Sequence, residues 1–145
     1  MSGLMGEYRH AIDDKGRLTL PARIRDALGP IFVVTKGLDN CLFMYPNSEW
    51  EALEAKLRAL PLTNKQARQF VRVFFSGASE CRPDGQGRVL LPATLREYAG
   101  LEREGVIVGA LTRMEVWNPE SWARYVQEGD AGYADLAERM EGLGL

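Results

Sequence analysis

Two stretches of this chain carry the same side chains in the same order. The first is Asp13-Asp14-Lys15-Gly16-Arg17-Leu18-Thr19-Leu20-Pro21-Ala22-Arg23-Ile24-Arg25, and the second is Asp84-Gly85-Gln86-Gly87-Arg88-Val89-Leu90-Leu91-Pro92-Ala93-Thr94-Leu95-Arg96. In each, an aspartate stands four residues before an arginine, a glycine directly precedes that arginine, and Pro-Ala-x-x-Arg follows. An arginine can donate two hydrogen bonds to guanine O6 and N7, and a glutamine can read adenine. Lysine and arginine also neutralise phosphates. Lys15, Arg17, Gln86 and Arg88, with Arg9 on the preceding segment, are therefore the candidate DNA contacts. Gln86 stands where the first copy has Lys15, which weakens the charge of the second copy but keeps a base-reading side chain. A competing reading is that Arg17 pairs with Asp13 across the turn and only stabilises it.

An internal repeat decides how the remaining chain is read. Asp13 and Asp84 can bond backbone N–H groups just ahead of them and so start a turn. Gly16 and Gly87 supply the positive φ that closes it. Leu18–Leu20 and Val89–Leu91 are short apolar runs bounded by turn signals, hence strands. Pro21 and Pro92 suit the first position of a helix, and Gly29 and Gly100 suit its end. Glu7–Ile12 alternates with a period of two, so residues 7–20 read as a hairpin. Residues 76–82 are the counterpart before the second turn. Ile31–Val34 with Cys41–Tyr45, and Val106–Val108 with Met114–Trp117, read as further hairpins. Each repeat is then a hairpin, a helical turn and a second hairpin.

Helices follow each repeat. Ser48 to Glu51 and Thr63 to Gln66 have the capping-box form. Trp50, Leu53, Leu57 and Leu60 line one helix face, and Ala67, Phe70, Val71 and Phe74 line the next. Asn118 caps a later helix with Pro119 at its first position, and Trp122, Tyr125 and Val126 share a face. A last short helix carries Tyr133, Leu136, Ala137 and Met140. These spacings suit helices packed on a small sheet, with subunit contacts as the alternative use of part of these faces.

Catalytic constellations are poorly supported. His10 is the only histidine, so no Ser/His/Asp or Cys/His pairing is suggested. No phosphate loop of the Gly-x-x-x-x-Gly-Lys kind occurs, and no acid follows Asp13 and Asp14 at a calcium-loop spacing. The reading is a non-enzyme with no cofactor and no metal. Cys41 and Cys81 lack a metal spacing and read as buried free thiols of a cytosolic protein. The start has neither a basic nor an apolar signal-peptide region, and no apolar run reaches spanning length. The chain of 145 residues is 46% apolar and 26% charged, as a soluble globular protein is. Its net charge of −2 argues against a general nucleic-acid binder. That charge is uneven: residues 118–145 hold six acids and two bases, whereas residues 1–117 hold sixteen bases and fourteen acids. A local basic face is therefore compatible with the total.

The two motifs carry a resemblance. Gly6-Glu7-Tyr8, Asp13-Asp14-Lys15-Gly16-Arg17-Leu18 and Pro21-Ala22 resemble the N-terminal signature of the MraZ family. Phe74-Phe75-Ser76-Gly77-Ala78, Asp84–Ala93 and Leu95-Arg96-Glu97-Tyr98-Ala99 resemble its second signature. The likeness covers about residues 5–125 and leaves the acidic tail outside. It implies an α+β fold of the SpoVT/AbrB-like superfamily, a double-repeat swapped-hairpin β-barrel with peripheral helices. The expected organisation is repeat 1 over 7–49, a helical connector over 50–76, repeat 2 over 78–121 and a helical acidic tail over 122–145, the repeats forming one compact unit.

The resemblance further implies a DNA-binding transcriptional regulator, usually a repressor of the division and cell-wall gene cluster including its own gene. Its partners would be double-stranded DNA carrying short G-rich direct repeats, and copies of itself in a ring-like homo-oligomer. It would be cytoplasmic and nucleoid-associated, with no membrane contact. Arg17 and Arg88 would contact DNA, with Asp13, Gly16, Asp84 and Gly87 supporting their turns. The alternative function is an antitoxin-like DNA-binding protein whose helical tail binds a protein partner, suggested by the acidity of that tail.

Overall fold

The structure is a computed structural model that describes residues 4–144. Met1, Ser2 and Gly3 of the N-terminal segment and Leu145 of the acidic tail lie outside the described residues. The first repeat forms β1 (Glu7–Ala11), β2 (Arg17–Thr19), α1 (Ala22–Leu28), β3 (Phe32–Lys36) and β4 (Leu42–Pro46). Helices α2 (Asn47–Arg58) and α3 (Lys65–Ser76) follow. The second repeat forms β5 (Ser79–Cys81), β6 (Arg88–Leu90), α4 (Ala93–Ala99), β7 (Glu104–Gly109) and β8 (Met114–Trp117). Helices α5 (Pro119–Ala131) and α6 (Tyr133–Glu138) end the described chain. The fold is α+β, as the sequence suggests.

A six-stranded antiparallel sheet has the order β1-β7-β8-β4-β3-β5, and β2 pairs separately with β6. This corrects the hairpin expected over residues 7–20. Strand β1 pairs instead with β7, from Glu7 opposite Val108 to Ala11 opposite Glu104. In the same way β5 pairs with β3 of the first repeat. A single bridge, Ile12 to Leu18, remains between the two arms of the expected hairpin. The reason is length: the three residues of β2 are all used by β6, whereas β7 offers β1 a ladder of five. Each repeat thus lends its first strand to the other, which is the swapped arrangement within one chain. The hairpins β3–β4 and β7–β8 form as expected.

Side chains alternate between the two faces of a strand, and both faces of this sheet are covered. On one face Phe32, Val34, Leu42, Met44, Ile107 and Val116 meet Leu18, Leu20, Val89 and Leu91 from around the β2–β6 ribbon, with Ile24 and Leu95 from α1 and α4. On the other, Phe43, Tyr45, Val106 and Trp117 meet Trp50 of α2, Phe74 of α3 and Trp122 of α5. Strands covered on both sides read as unbroken apolar runs. Each fully buried side chain of this size contributes about 1.5–3 kcal/mol, so the ribbon is anchored by its inner residues while its other side faces outward.

Several helix starts differ from expectation. Pro21 and Pro92 sit at the N-cap, one residue early, because ψ of 150° and 143° keeps both extended as the ribbon strands end. Helix α2 begins at Asn47 directly out of β4, so Ser48 lies inside it and makes no box. Asn64 rather than Thr63 caps α3, its Oδ1 accepting from the Ala67 N–H at 2.9 Å; a carboxamide at the N-cap reaches the third N–H ahead. Asn118 caps α5 as expected, accepting from the Ser121 N–H at 3.0 Å with Pro119 next to it. Helix α3 runs on through Ser76, which shortens the strand expected over 76–82 to Ser79–Cys81. In α6 and just beyond it, Tyr133, Leu136 and Met140 are exposed rather than packed inward.

Candidate nucleic-acid interface

Each motif folds into the same small clamp. Asp13 Oδ1 accepts the backbone N–H groups of Lys15 at 3.0 Å and Arg17 at 2.9 Å, and its Oδ2 accepts Arg17 Nε at 2.7 Å. Asp84 repeats this with Gln86 N, Arg88 N and Arg88 Nε, all at 2.9 Å. The turns close with Gly16 and Gly87 at φ of 84° and 78°, where a side chain would be strained. Donated backbone N–H bonds, chiefly from Arg17, hold the Asp13 carboxyl below its usual range. Asp84 is lowered likewise, chiefly by the Arg88 N–H. A lowered pKa means the charged form is the one the fold holds, so this contribution is present at neutral pH. It is lost only as pH falls below the carboxylate range.

The β2–β6 ribbon then sets the two clamps side by side. Arg17 lies opposite Leu90, Leu18 opposite Val89 and Thr19 opposite Arg88. Exchanging each residue for its counterpart in the other repeat maps this ladder onto itself, so the ribbon has an internal two-fold relation. Leu18 and Val89 are buried, while Arg17, Thr19 and Arg88 are half-buried and Leu90 is exposed. Successive residues face opposite sides, so both arginines share the outer face. The Arg88 guanidinium reaches across it, with Nη1 3.8 Å from Asp13 Oδ2. The Asp13 bond uses Nε of Arg17, which leaves the Nη donors of that fork for an outside acceptor.

Two further arginines belong to this face. Arg25 Nε donates to the Leu20 carbonyl at 3.1 Å, and Arg96 Nε donates to the Leu91 carbonyl at 3.0 Å. Leu20 in turn donates its N–H to the Gly87 carbonyl, and Leu91 to that of Gly16. A Cβ placed on Gly16 would lie 2.5 Å from the Arg96 guanidinium, and one on Gly87 would lie 2.9 Å from Arg25 Nε. Each helix arginine therefore lies against the turn of the opposite repeat. The one signal in sequence was its recurrence as the last residue of the repeated pattern. Its cross-repeat contact depends on the ribbon register, which no local pattern reveals.

Lys15 and Gln86 stand exposed at the turn tips. Arg9 is placed differently from the others. It points from β1 to Glu104 of β7 at 3.1 Å and does not join the Asp13 clamp. Cys41 and Cys81 are buried and unpaired, and burial pushes their thiols up to about 12 and about 11. Among the described residues no group of three or more His, Cys, Asp or Glu could hold a metal. No helix among them is long and apolar enough to cross a membrane.

The repeat seen in the fold is matched by the comparisons with known proteins. The family described as "MraZ protein, putative antitoxin-like" matches twice, over residues 4–73 and 74–143. A protein of Moorella thermoacetica named "Transcriptional regulator MraZ" is 59% identical over 136 residues, 94% of this chain and 95% of its own. Proteins of that name from Desulfitobacterium hafniense and Desulforamulus reducens are each 57% identical, over 97% and 96% of this chain and 99% and 98% of their own. With one match to each repeat and relatives aligned along nearly their whole length, the chain belongs to the MraZ family.

Proposed function

We propose that this chain is a sequence-specific DNA-binding transcriptional regulator whose reading elements are the Asp13–Arg17 and Asp84–Arg88 turns. The observation that supports this most is the pair of guanidinium groups held by aspartates on one outer face of the β2–β6 ribbon. A two-stranded ribbon fits a major groove, and fixed arginine forks suit guanine, so G-rich boxes are the expected targets. The relatives named above are called transcriptional regulators, not enzymes. In this reading Arg17 and Arg88 read bases, Lys15 neutralises phosphate, and Gln86 reads a base or lies on the backbone. Arg9, held by Glu104, is at most an outer phosphate contact. Asp13, Gly16, Asp84 and Gly87 hold the turns, and no cofactor is required.

The target is the division and cell-wall gene cluster that includes the protein's own gene, and the action is repression from within the cytoplasm and nucleoid. Segments 7–49 and 78–121 act as the two reading repeats, with 50–76 as connector and 122–145 as tail. One chain offers only two turns, a small footprint against the roughly 1,000–2,500 Å² of specific protein–DNA interfaces. A homo-oligomer on direct repeats multiplies such weak contacts through effective concentration.

A gel shift with DNA from upstream of the protein's own gene tests the reading. Arg17→Ala should abolish detectable operator binding, and Arg88→Ala should act similarly or more mildly. Melting should change little, since the pairs lie at the surface and each aspartate keeps its two backbone N–H bonds. Wild-type affinity in both variants would end the assignment. Equal loss on every DNA sequence, with a salt slope lower by about one unit, would reassign these arginines to phosphates.

A further inference from the structure

We infer that the C-terminal segment carrying α6 docks, in a second copy of this chain, into the groove between α2 and α3. This rests on the oligomeric part of the function proposed above and names the contact that builds the assembly. The groove has a volume of about 280 Å³ and is lined by Leu57, Leu60, Pro61, Ala67, Val71 and Phe75. Leu62 at its mouth is 78% exposed. Arg58, paired with Glu54 at 3.7 Å, and Arg68 border it, and residues 54–76 carry five bases against one acid.

The tail has the complementary chemistry. Tyr133 and Leu136 lie three residues apart on α6 and Met140 just beyond its end, and they are 74%, 47% and 57% exposed. Leu143, after the turn at Gly142, is 54% exposed. Asp135, Glu138 and Glu141 are exposed beside it. An exposed apolar patch flanked by three acids and one base, Arg139, thus lies on the described tail, while an apolar groove with bases on its rim stands open. Laying an amphipathic helix into an apolar groove is a common recognition mode. Tail against tail would oppose acid to acid, and groove against groove base to base. The contact is therefore head-to-tail, and such contacts close into rings when the rotation permits.

The test uses the full chain. Leu136→Cys subunits are co-expressed with Leu62→Cys subunits and treated with a short bismaleimide. The native Cys41 and Cys81 are buried and serve as silent background. The expected result is a two-chain product in the mixture and none from either variant alone. Separately, Leu136→Asp should raise the concentration needed for assembly by about tenfold or more in sedimentation velocity, since it removes a large apolar contact. Because Leu136 is on the surface, its circular dichroism should stay that of the wild type. Crosslinking of Leu136→Cys subunits with one another, no product in an assembled mixture, or unchanged assembly by Leu136→Asp would each overturn this contact while leaving the oligomer standing. A wild-type chain that sediments as a monomer would overturn both the contact and the oligomer. Operator binding is read without the crosslinker, so a failure of DNA recognition is seen on its own.

Discussion

A free arginine side chain loses up to about 2 kcal/mol of rotamer freedom when it is fixed against a partner. Asp13 and Asp84 take much of that loss in the unbound protein by holding Nε of Arg17 and Arg88. Pairing with aspartate and reading a base are thus compatible roles, not rivals, because they use different edges of one guanidinium. The clamp was legible in sequence because all its ligands lie within five residues. The part played by Arg25 and Arg96 was not, because each lies against the other repeat's turn. That geometry gives a prediction. Arg96→Ala and the charge-keeping Arg17→Lys, which should leave binding weakened but measurable, should be non-additive in operator affinity, by about 0.5 kcal/mol or more, as residues acting through one contact network are. The cycle of Arg25→Ala with Arg88→Lys should behave the same. The crossed cycles, Arg96 with Arg88 and Arg25 with Arg17, should couple less, and equal coupling in all four would remove the cross-repeat link.

At the scale of elements, the swapped strands decide what can fold. In a fragment of residues 1–75, β1 would lack β7 and β3 would lack β5, so two hairpin-sized pieces would expose the apolar faces that the other repeat covers. Isolated hairpins are marginal in water. Such a fragment should aggregate or stay unfolded, and a monomeric fragment with a cooperative melt would contradict this account. Period-two alternation correctly marked Glu7–Ala11 as a strand but carried no information about its partner, since a ladder running from Glu7 opposite Val108 to Ala11 opposite Glu104 looks no different locally from a hairpin. Cap positions slipped for a related reason. Pro46 is the last residue of β4 and Pro92 is still extended just after β6, and the preceding strand sets where the helix can begin. Apolar spacing identified α6 correctly, yet spacing alone does not say whether a face meets its own core or another molecule.

At the scale of the whole molecule, one outer face carries both turns, so in the proposed function each chain would meet DNA from one side. Boxes bound together should then recur at about 10–10.5 base pairs, one helical turn. Inserting about half a turn between two boxes should weaken binding sharply in a gel shift, and unchanged affinity would count against simultaneous engagement. The two-fold relation of the ribbon has a consequence for polarity. Two identical turns related by such an axis would read a box equally well in either direction along the duplex, leaving no means to distinguish its ends. Asp14-Lys15 on one turn and Gly85-Gln86 on the other break that equivalence at the exposed tips. The direction in which a chain sits on DNA would then be written in the two residues by which its turns differ. Gln86→Lys should make a box and its reversed copy bind with closer affinities, at the expense of sequence preference, and a preserved directional bias would locate the polarity elsewhere.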